Sequence, residues 1–166
     1  MTRILFLLLI VLCSQITLAQ TDTNAPYWKN KNIPAFRLVA IKDSSFFSET
    51  DLAKNKITIF MLFNPECEHC QQQFKMLVKL PRVKKDVQLV LASTETWEKI
   101  NRFNTTYEIG KYPFVTLCKD TKFTFGGFFQ PKTVPVIAIY NKKGQFEFIK
   151  QGEIKKKELE AVLNKL

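Results

Sequence analysis

Residues 57–63 (ITIFMLF) form an unbroken apolar run, rich in β-branched and aromatic side chains, between Lys56 and Asn64-Pro65. A run of this length and composition predicts a strand. Thr58 is its one polar side chain and there is no alternation of polar with apolar residues, so the run suits a strand covered on both faces. A chain built around it therefore needs a sheet with helices above and below. Immediately after the run come Pro65-Glu66-Cys67-Glu68-His69-Cys70, then Phe74, Leu77 and Val78 at helical spacing, with Pro81 marking an end. Pro65 and the acids Glu66 and Glu68 suit the start of that helix, where the dipole favours negative charge.

The rest of the chain fills in the sheet. Residues 36–41 predict a short first strand, and residues 48–52 one helical turn with Ser48 as its cap and Asp51 at the capping-box position. Residues 87–92 (VQLVLA) predict the next strand, followed by a helix capped by Ser93 or Thr94 and running to about Phe103. Residues 114–118 are a short extended piece. Residues 123–129, with Gly126-Gly127, fit helix or strand equally. Residues 136–140 and 145–150 flank Asn141-Lys142-Lys143-Gly144 and predict a hairpin. Ile154, Leu159, Val162 and Leu166 mark a last helix. Strands that alternate with helices pair in parallel, and the hairpin adds antiparallel strands. The predicted class is α/β, a central mixed sheet with helices on both faces.

The N-terminus has Arg3, an apolar run over residues 4–12, and Thr17-Leu18-Ala19 with small residues at the cleavage positions. This is the three-part pattern of a secretory signal peptide. The run is too short to cross about 30 Å of hydrocarbon, which takes roughly 20 apolar residues. The expected organisation is a signal peptide over residues 1–19, a polar, proline-punctuated leader over 20–33 and one domain over 34–166. The signal peptide would engage the secretion machinery and leave the mature protein in the periplasm or another extracytoplasmic compartment, soluble or peripherally membrane-associated.

The hydrophobic share of 46% and the 15 Phe support a real core without covalent staples. The net charge of +10 is spread over scattered lysines, with one cluster at residues 155–157. No aromatic-plus-arginine motif accompanies it, so the surface reads as solvated and basic, with no nucleic-acid partner. Of the four cysteines, Cys13 falls in the signal peptide, leaving Cys67, Cys70 and Cys118. An odd, small number excludes a disulfide scaffold. Cys118 reads as a small buried residue on a short strand.

Cys67 and Cys70 lie where a buried strand hands over to a helix. The first helical turn has unpaired N–H groups and the positive dipole end, which stabilise a thiolate. Cys67 would be the more exposed attacking sulfur, and Cys70, one turn in, would resolve the mixed disulfide. An imidazolium at His69 favours the thiolate, whereas carboxylates at Glu66 and Glu68 oppose it. The sequence does not rank these effects, so the redox direction stays open. A zinc site would need a second pair of ligands, and His69 is the only histidine; no metal and no cofactor are expected. A structural disulfide closing so short a loop would restrict the unfolded chain very little.

Together, residues 60–70 (FMLFNPECEHC) and 134–144 (VPVIAIYNKKG) resemble the thioredoxin superfamily, and within it the TlpA/ResA-like extracytoplasmic thiol–disulfide oxidoreductases. The similarity covers most of residues 34–166. It implies a thioredoxin fold, a cis-proline at Pro135 beside the cysteines, and backbone groups of Val134 offered to an extended substrate. The implied partners are protein thiols and disulfides and an upstream redox protein. Several positions depart from the family pattern. Glu66 replaces the usual Trp, Met61 stands where thioredoxin has a buried acid, and Gln73 stands where relatives place an acid near the second cysteine. With that acid missing, Glu66, Glu68 or water would have to accept the proton of Cys70. The Cys-x-His-Cys pattern and the Val before the proline also resemble DsbA-type oxidants. Glu66 and Met61 leave a third reading, a non-catalytic binding module that has kept the fold. Asn64 stands where peroxiredoxins have Thr, which argues against peroxide chemistry.

Overall fold

The computed structural model describes residues 24–166. The expected signal peptide and the start of the leader lie outside the described residues. Seven strands form one sheet: β1 (Arg37–Ala40), β2 (Phe46–Ser48), β3 (Ile57–Leu62), β4 (Val87–Ser93), β5 (Val115–Lys119), β6 (Val136–Tyr140) and β7 (Phe146–Gln151), in the order β2-β1-β5-β4-β3-β6-β7. The parallel pairs are β3 with β4 and β4 with β5, joined through helical crossovers. The hairpin β6–β7 adds two antiparallel strands beside β3. The first two strands form an antiparallel pair at the other edge. The helices are α1 (Pro26–Lys29), α2 (Glu68–Lys79), α3 (Pro81–Asp86), α4 (Trp97–Thr106), α5 (Thr124–Phe129) and α6 (Lys156–Leu163).

The apolar run becomes the inner strand β3, and every one of its residues is buried. Successive side chains of a strand point to opposite faces. Ile57, Ile59 and Met61 join a core with Phe74 and Leu77 of α2, Val83 of α3, Ile100 of α4 and Leu159 of α6. Phe60 and Leu62 enter a second core on the other face with Phe125 and Phe129 of α5. The one hydroxyl in the strand, on Thr58, is satisfied by Gln88 Nε2 at 2.9 Å. Burying an isolated hydroxyl without such a bond costs about 1–3 kcal/mol.

The structure departs from the sequence reading at element ends. Pro81 does more than stop a helix: α2 ends at Lys79, and Pro81 opens α3 at the position where a missing N–H costs nothing. The cap of α4 is Thr96, whose Oγ1 accepts from Lys99 N, rather than Ser93 or Thr94. Ser93 is kept in β4 by its pairing with Lys119 of β5. The ambiguous residues 123–129 are helical because the buried Asp120 carboxylate accepts from Thr124 N at 2.9 Å and Phe125 N at 2.8 Å, satisfying the first donors of α5. Part of the expected leader is packed against the domain. Ala25 and Tyr27 are buried in the second core, and Tyr27 stacks at 5.6 Å from Phe146.

Candidate functional site

The handover from β3 to α2 is built by Asn64. Its carbonyl accepts from Cys67 N at 3.1 Å, its side-chain oxygen accepts from Glu66 N at 2.8 Å, and its amide donates to Glu95 at 2.8 Å. The Pro65 carbonyl accepts from Gln71 Nε2 at 2.8 Å. These bonds turn the chain so that Cys67 becomes the N-cap of α2. Its Sγ accepts from Cys70 N at 3.4 Å. The sulfur therefore occupies the place where a helix presents free N–H groups and positive potential.

Cys67 is half-buried, and Cys70, in the first turn, is fully buried. Both are free thiols, as is Cys118. Burial pushes the Cys70 thiol up to about 12, with Cys67 and the Glu153 carboxylate adding to the rise. The two cysteines are thus unequal in the sense expected of an attacking and a resolving sulfur. Burial also raises Cys118 to about 12.

These raised values carry a sign for stability. Each thiol keeps its proton in the folded state above its ordinary value of 9.0, where the unfolded chain loses it. The stabilisation is complete below that value and is lost as pH rises toward about 12. The reduced protein should therefore lose stability as pH rises through that window, with each buried thiol adding to the decline. Urea unfolding of the unaltered protein and Cys118→Ala, compared at neutral and alkaline pH, should show a shallower decline for the variant.

The charged neighbours are placed differently from one another. Glu66 is drawn away by Lys99 Nζ at 2.7 Å, with Arg102 at 3.9 Å, and these cations hold its carboxyl below the ordinary range. Its opposition to a Cys67 thiolate is therefore largely compensated. Glu68 lies exposed in the first turn of α2. His69 is exposed and its Nδ1 faces Glu153 Oε2 at 3.2 Å. An imidazolium there has a carboxylate partner of its own, so its support for the Cys67 thiolate is diluted.

The Val134–Pro135 peptide is cis, and Pro135 is buried at the head of β6. Register pairs Val136 with Leu62, so this peptide sits at the end of β3 from which the cysteine loop departs. Val134 and Cys67 both pack against the core that contains Cys70. The helix start and the proline peptide thus share one end of the sheet. Glu153 was not singled out from the sequence. The signal for it was indirect: an acid one residue beyond a glycine that ends the hairpin, in a chain lacking the acid at position 73. Among the described residues there is no cluster of side chains suited to a metal ion.

A mixed sheet of this order, with a cysteine pair opening the helix after the inner strand β3, is a thioredoxin fold. No protein-family model matches the sequence, and no curated protein matches it. Solved structures match over most of the chain. A solution structure from Neisseria meningitidis described as a thioredoxin is 21% identical with a TM-score of 0.67, covering 82% of this chain and 89% of that one. A secreted Mycobacterium tuberculosis disulfide oxidoreductase, described as homologous to E. coli DsbE, is 16% identical with a TM-score of 0.64, covering 79% and 96%. A thiol–disulfide isomerase from Corynebacterium glutamicum is 15% identical with a TM-score of 0.65, covering 83% and 97%. At these identities the likeness shows the fold.

Proposed function

We propose that this protein is an extracytoplasmic thiol–disulfide oxidoreductase that works on protein disulfides through Cys67 and Cys70. The observation that carries the reading is the Cys67 sulfur at the N-cap of α2 with Cys70 buried one turn deeper. In the reducing direction, the Cys67 thiolate attacks a substrate disulfide and one substrate sulfur leaves as a thiolate. Cys70 then loses its proton and attacks Cys67 Sγ. The protein disulfide forms, the second substrate thiolate leaves, and two electrons have passed to the substrate. An upstream redox protein must return those electrons for turnover. Val134, just outside the β6 ladder, would present its backbone to an extended substrate segment. The pattern at the N-terminus supports export, and the M. tuberculosis neighbour is described as secreted.

Pairing of His69 with Glu153 favours a reductant or isomerase over a strong oxidant, because less positive charge is left to stabilise the reduced form. The expected potential lies nearer thioredoxin's value of about −270 mV than DsbA's value of about −120 mV. Equilibration with glutathione measures it, and a value at the DsbA end would reverse the direction. The activity itself is tested by insulin reduction with dithiothreitol. Cys70→Ser expressed in the native host should strand mixed disulfides on Cys67, seen as reducible adducts on gels. A folded, reducible protein that neither reduces insulin nor traps a partner would sink the assignment.

A further inference from the structure

The residue one helical turn beyond Cys70 is Gln73, buried at 2% exposure, and it carries no carboxylate. A carboxylate arrives instead from the end of the hairpin. Gly152 has φ +86°, a conformation that glycine alone adopts freely, and its N–H donates to the Pro135 carbonyl at 2.8 Å. The next residue, Glu153, reaches His69 Nδ1 at 3.2 Å, on the residue adjoining Cys70. The one after that, Ile154, donates its N–H to Gln73 Oε1 at 2.8 Å, one helical turn below Cys70. Residues 152–154 are thus tied to the proline peptide and to α2 on both sides of Cys70. Gln73 Nε2 is left buried with no partner. The Glu153 side chain is 45% exposed, so a proton that reaches it can pass to solvent. Glu66 cannot serve in this way, because Lys99 and Arg102 hold it on the α4 side.

We propose that Glu153 is the acid–base group serving Cys70, with His69 as the residue that positions it. The inference rests on the reading that Cys67 and Cys70 exchange disulfides. In the resolving step, Glu153 takes the Cys70 proton. The Cys70 thiolate attacks Cys67 Sγ, and the substrate sulfur leaves with the electron pair of the broken S–S bond. In the reverse direction Glu153 returns the proton as Cys70 is released. The titratable groups that bear on Cys70 are Cys67 and Glu153, and His69 is the group facing Glu153.

A carboxylate acting only as a fixed charge would do the opposite. Negative charge beside Cys70 disfavours its thiolate, so neutralising it would speed resolution. The two roles therefore differ in the sign of one measurement. The purified reduced protein is mixed with an aromatic disulfide whose released thiolate is coloured. The first phase of colour reports attack by Cys67, and the second reports resolution by Cys70. In Glu153→Gln the ratio of the second rate to the first should fall roughly a hundredfold at neutral pH, the low end for a positioned acid–base group. The deficit should close at alkaline pH, where hydroxide removes the proton, and Glu153→Asp should recover most of the rate. An unchanged or faster second phase in Glu153→Gln overturns the proposal while leaving the redox assignment intact. If the unaltered protein shows no first phase, the redox assignment fails and this inference fails with it.

Discussion

Replacing Cys67 with serine is expected to bring insulin reduction down to the uncatalysed rate, a loss of at least about a thousandfold. The reason is positional as well as chemical. The Cys67 sulfur caps α2 and accepts from Cys70 N, so the helix end stabilises negative charge on that atom. A serine hydroxyl can occupy the same cap. The fold should therefore survive, and unfolding curves of the variant should stay close to those of the unaltered protein. Cys70→Ser separates the two half-reactions. It should keep the first attack and lose release, so single-turnover labelling persists while multiple turnover stops. Cys118→Ala should leave both intact, because Cys118 lies at 0% exposure in the core beneath α5, on the opposite face of the sheet from α2. Full turnover in Cys67→Ser would remove the dithiol from the account.

The largest effect on stability is expected at Phe60. Its ring is fully buried and lies 4.9 Å from Phe125, 5.6 Å from Phe36, 5.6 Å from Tyr140 and 6.1 Å from Phe129. It joins the inner strand to the N-terminal strand region, to α5 and to β6. Phe60→Ala removes the transfer energy of the ring and leaves a cavity that four rigid aromatic neighbours cannot fill. The cost should be about 3–5 kcal/mol, a large part of a typical domain's total. It should lower Tm on the order of 10 °C. Urea unfolding checks this through the midpoint at unchanged slope, and Phe60→Leu should recover part of the loss. A cost under about 1 kcal/mol would mean the core collapses easily around the gap.

Much of the site was legible because it is local. The apolar run at residues 57–63 suited a doubly covered strand, and residues 57–62 became β3, every one of them buried. The cysteines sit at the start of the next helix because Asn64, Pro65 and the acids that follow are turn and helix-start residues, and such preferences act within one or two turns of chain. The hairpin was legible for the same reason: a glycine-containing turn between two apolar strands. Less legible were features settled by distant partners. Whether residues 123–129 form helix or strand depended on Asp120 reaching the first donors of α5. Whether the segment before residue 34 packs depended on an aromatic pocket that Phe129 and Phe146 complete around Tyr27.

Taken alone, the order of apolar runs, turn residues and paired cysteines determined that a mixed sheet carries a thiol pair at the tip of a helix, because each signal is read within a few residues. Only the folded chain decided which charges act on that pair. Glu66 follows Asn64 and Pro65 in the loop before Cys67, yet Lys99 and Arg102 claim it. Glu153, far along the chain, is brought to His69, the residue beside Cys70, where Gly152 bonds to Pro135. Electrostatic effects depend on distance in space, and separation along the chain does not reveal that distance until the sheet has brought its two ends together.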